Sequence, residues 1–297
     1  MARTGVGVRW SSRTVLPGTG PGRTGIASWV LPGTGPGRTG RARVENGPDL
    51  ALTGRMLPFS EIERVLVVTA HPDDVDFGAA GTVAALTDAG VEVTYCLVTD
   101  GQAGGFDHSI PRKEMAAIRR EEQTKAAAEV GVTDLRFLGF MDGTVEVTME
   151  LRHDISLIIR QVRPQVVITQ SPLRNLASTY GSHPDHTATG EATMCAVYPD
   201  ARNPFAFIGM PCADVEDWKV QEVWIQAGPM GGDQDLAVVD ITAQVERKFR
   251  ALRCHVSQHV DPDAMMERVG ARFQQLATEH GLPEGSSAEL FRVCDTR

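Results

Sequence analysis

At 297 residues, 42% hydrophobic and 23% charged, the chain has the make-up of an ordinary globular protein, with room for one large domain or two small ones. Its formal charge of −9 argues against a nucleic-acid partner, and no run of about 18 apolar residues suggests a membrane span. Five scattered cysteines with no C-x-x-C pair argue against a disulfide framework or a zinc ribbon and for a reducing compartment, the cytoplasm by default.

The first 55 residues differ from the rest. "VLPGTGPGRTG" stands at 15–25 and again at 30–40, and residues 1–50 carry a net charge of +5, leaving −14 for the remainder. Such Gly/Pro/Arg-rich text buries too little apolar surface to offset its chain entropy. Residues 1–55 are therefore expected to be a disordered leader, either a basic interaction arm or an over-extended start ahead of Met56. The second reading is preferred. No linker interrupts 56–297, which is expected to be one domain.

From residue 56 the chain alternates short apolar runs with helical stretches. "RVLVVTA" (64–70) predicts a buried strand, and an Ala-rich helix follows over 76–90. A second strand, 91–99, leads into the glycine-rich "DGQAGGF"; a helix spans 112–131 and a short strand 135–140. Residues 148–163 predict a helix stopped by Pro164, and 165–170 another strand. Further strands are expected at 220–227 and 236–240, with helices near 242–258 and 262–280. This alternation implies right-handed crossovers and an α/β, Rossmann-like three-layer domain with a mostly parallel sheet.

In such sheets ligands bind outside the carboxyl ends of the strands. Three unusual segments sit at those ends: "HPDD" after 64–70, "DGQAGG" after 91–99 and "SPLRNLASTYGSHPDH" after 165–170. Pro72 biases His71 towards an extended backbone, and adjacent Asp73 and Asp74 diverge as the chain turns. Alone, the cluster is matched evenly by a helix cap supplied by Asp74 or Asp76. "SHPDH" shifts the balance. Pro184 suits a first helical position, so His183 and His186 can face one cleft. Two histidines and a carboxylate with an open position make a hydrolytic zinc site, and five candidates leave two groups for acid–base work.

"AHPDDVDFGAAGT" and "SHPDH" together resemble the signature motifs of the PIG-L/LmbE-like family of zinc-dependent N-deacetylases, from about Arg64 to Gln258. That family acts on N-acetylglucosaminyl lipids, precursors of low-molecular-weight thiols and chitobiose. The resemblance implies Zn²⁺ held by His71, Asp74 and His186, with Asp73 as general base and a protonated His183 stabilising the transition state. Where many members have Glu directly after "HPDD", this chain has Val75, with Asp76 one further on. Arg119, in "IRREEQ", resembles a substrate-contacting arginine; a solvated helix face is the plainer reading. "RKFRALRCHVSQH" (247–259) resembles a segment of oligomeric relatives whose histidine, here His255, reaches an active site, in some arrangements a neighbour's. Tyr180 is a pocket candidate. His108, His153, His259 and His280 have no partner motif and are expected at the surface.

The expected function is removal of an N-acetyl group from a small amino-sugar substrate by a homo-oligomer. An amidase acting on a thiol–sugar conjugate and a non-catalytic metal-binding protein are the alternatives. A nucleotide-binding module is disfavoured: G-x-G-x-x-G is missing and paired aspartates repel a pyrophosphate. If the leader is dispensable, a chain beginning at Met56 matches the full chain in thermal stability and activity. A large fall in either measurement would make the leader structural.

Overall fold

The computed structural model describes residues 52–53, 56–176, 179, 182–227 and 236–297. Strands β1 (Leu52–Thr53), β2 (Arg64–Thr69), β3 (Glu92–Thr99), β4 (Asp134–Phe140), β5 (Val166–Thr169), β6 (Glu222–Gln226), β7 (Ala237–Asp240) and β8 (Ala288–Asp295) form one sheet. Its order is β1-β7-β8-β6-β5-β2-β3-β4. β2 through β6 are parallel, while β8 runs antiparallel to both β6 and β7. The helices are α1 (Asp74–Gly78), α2 (Ala80–Asp88), α3 (Arg112–Glu129), α4 (Met149–Val162), α5 (Pro184–Cys195), α6 (Val245–Arg253) and α7 (Pro262–Glu279).

The period of two in the strands creates three layers. Val65 and Val67 of β2 join one core with Val83 and Leu86 of α2, Ala126 of α3 and Phe273 of α7. Leu66 and Val68, pointing the other way, join a second core with Leu151, Ile155 and Ile159 of α4 and Ala192 of α5. A strand buried on both faces reads as a continuous apolar run, which is why "RVLVVTA" shows no alternation.

After β2 the chain builds outward through β3 and β4, then crosses back to lay β5 on the other side of β2. The gap beyond the carboxyl ends of β2 and β5 is therefore the topological switch point, where open α/β sheets bind ligands.

Three features differ from expectation. The helix foreseen over 76–90 breaks at Ala79, where a second helix starts with the Gly81 and Thr82 N–H groups donating to buried Glu289 at 2.9 and 2.8 Å. Glu289 belongs to β8, a strand not foreseen from sequence; its buried partner is Lys248 of α6 at 2.7 Å. A charge at the second position of a strand hides the apolar pattern, yet here it ties α6 and β8 to the helix that follows the aspartate pair. Lastly, β1 pairs with Val238 and Val239 of β7, so the sheet begins before the boundary expected at residue 56.

Candidate metal centre

The end of β2 is held open by Gln170, whose Oε1 accepts the Ala70 N–H at 2.9 Å. His71 leaves the strand there, and α1 starts at Asp74 without any side-chain cap. The cap reading of Asp74 and Asp76 therefore does not hold. Instead, Asp74 Oδ2 accepts the His71 N–H at 2.8 Å, which locks its carboxylate beside the imidazole. On the opposite wall, His183 caps α5 and Pro184 opens it, so His186 turns back towards β2.

Three side chains meet tightly. His71 Nδ1 lies 3.2 Å from His186 Nε2 and 3.2 Å from Asp74 Oδ2, and His186 Nε2 lies 3.1 Å from Asp74 Oδ1. A tetrahedral ion with bonds of about 2.0–2.2 Å separates its ligand atoms by about 3.3 Å, so this cluster has the span of a metal site. His71's other nitrogen, Nε2, lies 3.2 Å from both Asp142 Oδ1 and Asp185 Oδ2. Carboxylates on Nε2 hold a ring hydrogen there, so Nδ1 is the nitrogen turned to Asp74 and His186. That is the usual arrangement of a metal-binding histidine.

The electrostatics agree. Burial alone would depress the pKa of His71, but Asp74, Asp142 and Asp185 outweigh it and push it up to about 12. Burial would raise Asp74, yet His186 and His71 hold it well below the ordinary carboxylate range. Without an ion these acids favour a charged His71 ring with a hydrogen on each nitrogen; a metal ion takes the place of the Nδ1 hydrogen, so the pocket favours positive charge where the three donor groups converge.

Asp73 faces a different neighbourhood. Its backbone is left-handed, with φ of 91°, a region uncommon for any residue but glycine and costing about 1–3 kcal/mol. The strain is offset by α3: Arg119 Nη2 donates to Asp73 Oδ2 at 3.0 Å and to the Pro72 carbonyl, and Gln123 Oε1 accepts the Asp73 N–H at 2.7 Å. Burial, opposed by Arg119 and reinforced by Asp74, lifts the Asp73 carboxyl to about 6.

His183 completes the pocket, its ring 5.0 Å from that of His71. Its Nδ1 accepts the Asp185 N–H at 3.2 Å, so the ring hydrogen sits on Nε2. Burial and the neighbouring His71 lower its pKa. His71, His183 and His186 place one nitrogen each within 4.8 Å of one another, but Asp74 bridges only His71 and His186 within 3.2 Å.

Two expected roles need correction. Arg119 is only 4% exposed and donates also to the Gly101 carbonyl, so it braces Asp73 and the glycine-rich loop rather than facing substrate. A Cβ at Gly101 or Gly104 would collide with its guanidinium, which explains the glycines of that loop. His255 is fully buried with Nε2 2.8 Å from Asp76 of the same chain, so it packs behind its own chain's aspartates and not at an exposed edge. His153, expected at the surface, is buried and accepts the Cys212 N–H. Tyr180 lies outside the described residues. The sequence motifs assign no role to Asp142 or Asp185; the strand-end rule applied to β4 singles out Asp142.

Residues 66–197 match the family model PIG-L, GlcNAc-PI de-N-acetylase. The diacetylchitobiose deacetylase of Thermococcus kodakarensis is 32% identical over 235 residues, covering 77% of this chain and 81% of that protein. This chain belongs to the PIG-L/LmbE-like deacetylase family. Within it, the probable N-acetyl-alpha-D-glucosaminyl L-malate deacetylase 2 of Bacillus cereus is 36% identical over 217 residues, covering 71% of this chain and 89% of that protein. The solved N,N'-diacetylchitobiose deacetylase from Pyrococcus horikoshii, in complex with its inhibitor MPG, superposes with a TM-score of 0.69 at 28% identity. That match covers 80% of this chain and 86% of the other.

If Asp74 is a ligand, Asp74→Ala loses most bound metal by elemental analysis while the circular dichroism of the fold is retained. Asp185→Asn, which weakens the hold on His71 Nε2, lowers metal affinity roughly 10- to 100-fold. Full occupancy in Asp74→Ala would contradict the ligand set.

Proposed function

We propose that this chain is a zinc-dependent hydrolase that removes the N-acetyl group from an N-acetylglucosamine-type substrate. One observation carries the reading: a three-donor cluster of two imidazoles and a carboxylate stands next to a second carboxylate, Asp73, that takes no part in it. Metal binding alone needs no such neighbour. Two nitrogens and one oxygen suit zinc, and three protein ligands leave a position for chemistry. The amino-sugar class comes from the relatives, named as deacetylases of diacetylchitobiose and N-acetylglucosaminyl malate.

Zinc bound there supplies a polarised acetyl carbonyl and a water made acidic near neutral pH. Asp73, oriented by Arg119, accepts a proton from the attacking water. His183 Nε2–H points a neutral donor at the developing oxyanion. As the C–N bond breaks, Asp73 returns its proton to the departing amine, so one water and one amide become acetic acid and a free amine, which separate as acetate and the protonated amine once the second proton follows. His71 and His186 keep their lone pairs for the metal throughout.

The five cysteines are all unpaired, and we assign the protein to a reducing compartment, the cytoplasm. Among the described residues no helix is long and apolar enough to cross a membrane. A homo-oligomer remains our proposal from the resemblance to oligomeric relatives, with His255 serving its own chain.

Acetate release from a panel of N-acetylglucosaminides tests the activity, and silence across the panel would end it. Asp73→Asn keeps its zinc and loses turnover by roughly 10²-fold or more. Metal loss as severe as in Asp74→Ala would exchange the two aspartates' roles.

A further inference from the structure

The Pro72–Asp73 peptide is gripped at both ends by side chains one turn apart on α3. Arg119 donates to its carbonyl, and Gln123 Oε1 accepts its N–H at 2.7 Å. Gln123 is fully buried, and its Nε2 donates to Asp76 Oδ2 at 2.9 Å. The same oxygen lies 2.8 Å from His255 Nε2.

This chain of bonds has only one consistent orientation. A carboxylate such as Asp76 only accepts, so the Gln123 amide must turn its NH₂ towards Asp76 and its carbonyl towards Asp73. His255 in turn fixes Asp76. The rest of the "HVSQ" segment locks onto the same helix and loop: Ser257 donates from N and Oγ to Glu122 at 2.7 and 2.8 Å, and Gln258 Oε1 accepts the Gly105 N–H at 3.2 Å. Packing alone would ask for none of these polar groups.

We propose that Gln123 is a positioning residue for Asp73, backed by Asp76 and His255. It prevents rotation of the Pro72–Asp73 peptide and so keeps Asp73 in its left-handed conformation, with the carboxylate beside the metal ligands. Without the Gln123 carbonyl, the peptide N–H has no partner and Asp73 relaxes towards ordinary backbone angles, carrying its carboxylate away. Glutamine is required because the position must accept on one side and donate on the other. The inference rests on the reading of Asp73 as general base.

The test compares three variants with wild type and Asp73→Asn on the N-acetylglucosaminide panel, with zinc content and circular dichroism recorded for each. Gln123→Met, similar in shape but without the amide, keeps its zinc and its KM while kcat falls roughly 10- to 100-fold. Gln123→Glu sets two carboxylates face to face and falls at least as far. The double variant Asp76→Asn/Gln123→Glu restores donor-to-acceptor matching. In it the NH₂ introduced at position 76 takes the place of Asp76 Oδ2, donating one hydrogen to the carboxylate introduced at position 123 and the other to His255 Nε2, whose ring hydrogen moves to Nδ1, and most of the lost kcat returns. Recovery supports the proposal even if Gln123→Met proves poorly folded. Wild-type kcat in Gln123→Met, zinc loss in that variant, or a double variant no better than Gln123→Glu would each overturn it. Full activity in Asp73→Asn would instead remove the base reading and this inference with it. An inactive Asp73→Asn beside a fully active Gln123→Met would overturn the inference alone.

Discussion

His71 has two ring nitrogens, and the fold gives them opposite surroundings. Asp142 and Asp185 flank Nε2 at 3.2 Å, while Nδ1 faces Asp74 and His186 at the same distance. Holding a hydrogen on one side leaves the other nitrogen as the one a metal can claim in exchange for its proton, and the pocket's metal-binding ability follows from that division. It needs contributions from three strand ends: His71 after β2, Asp142 after β4, and Asp185 with His186 on the helix after β5. Their convergence comes from the chain's reversal at the β2–β5 gap, which brings segments more than 100 residues apart to one sheet edge.

Around that centre the protein keeps charge in pairs rather than diluting it with solvent. Lys248 and Glu289 are both fully buried, and Glu289 also receives the first N–H groups of α2 while Lys248 donates to the Phe77 carbonyl. Removing one member of such a pair leaves an uncompensated charge, which typically costs about 3–5 kcal/mol. The network therefore serves geometry: it anchors the end of α1, which carries Asp74 and Asp76, to the antiparallel part of the sheet. His255 and Asp76 form a second buried pair closer to the pocket. Both link the C-terminal third of the chain to the helical segment that follows Pro72.

The legible part of the site was the part written locally. "HPDD" and "SHPDH" each hold their residues within five positions, so strand ends and helix starts were enough to place all five candidates on one sheet edge, while the choice of His71, Asp74 and His186 among them came from the family resemblance. The parallel strands were equally readable, because burial on both faces gives plain apolar runs. What stayed hidden depends on long-range partners. Nothing near Arg119 in sequence tells that its guanidinium turns inward onto Asp73, since an R-x-x-E spacing looks the same on a solvated face. The shared-site expectation for His255 came from resemblance to oligomeric relatives, and its buried partner, Asp76, lies 179 positions away, beyond the reach of local pattern. β8 escaped because Glu289 interrupts its pattern, and His153 because its contact is a backbone N–H in a loop.

The central claim is the division of labour between adjacent aspartates and between the two nitrogens of His71. Anomalous diffraction from crystals of the zinc-loaded protein tests it most directly. The account predicts one ion within about 2.0–2.2 Å of His71 Nδ1, His186 Nε2 and an Asp74 oxygen, with Asp73 unbound and Asp142 and Asp185 still on His71 Nε2. An ion on the Nε2 side of His71 between Asp142 and Asp185, or one bound by Asp73 in place of Asp74, would contradict it.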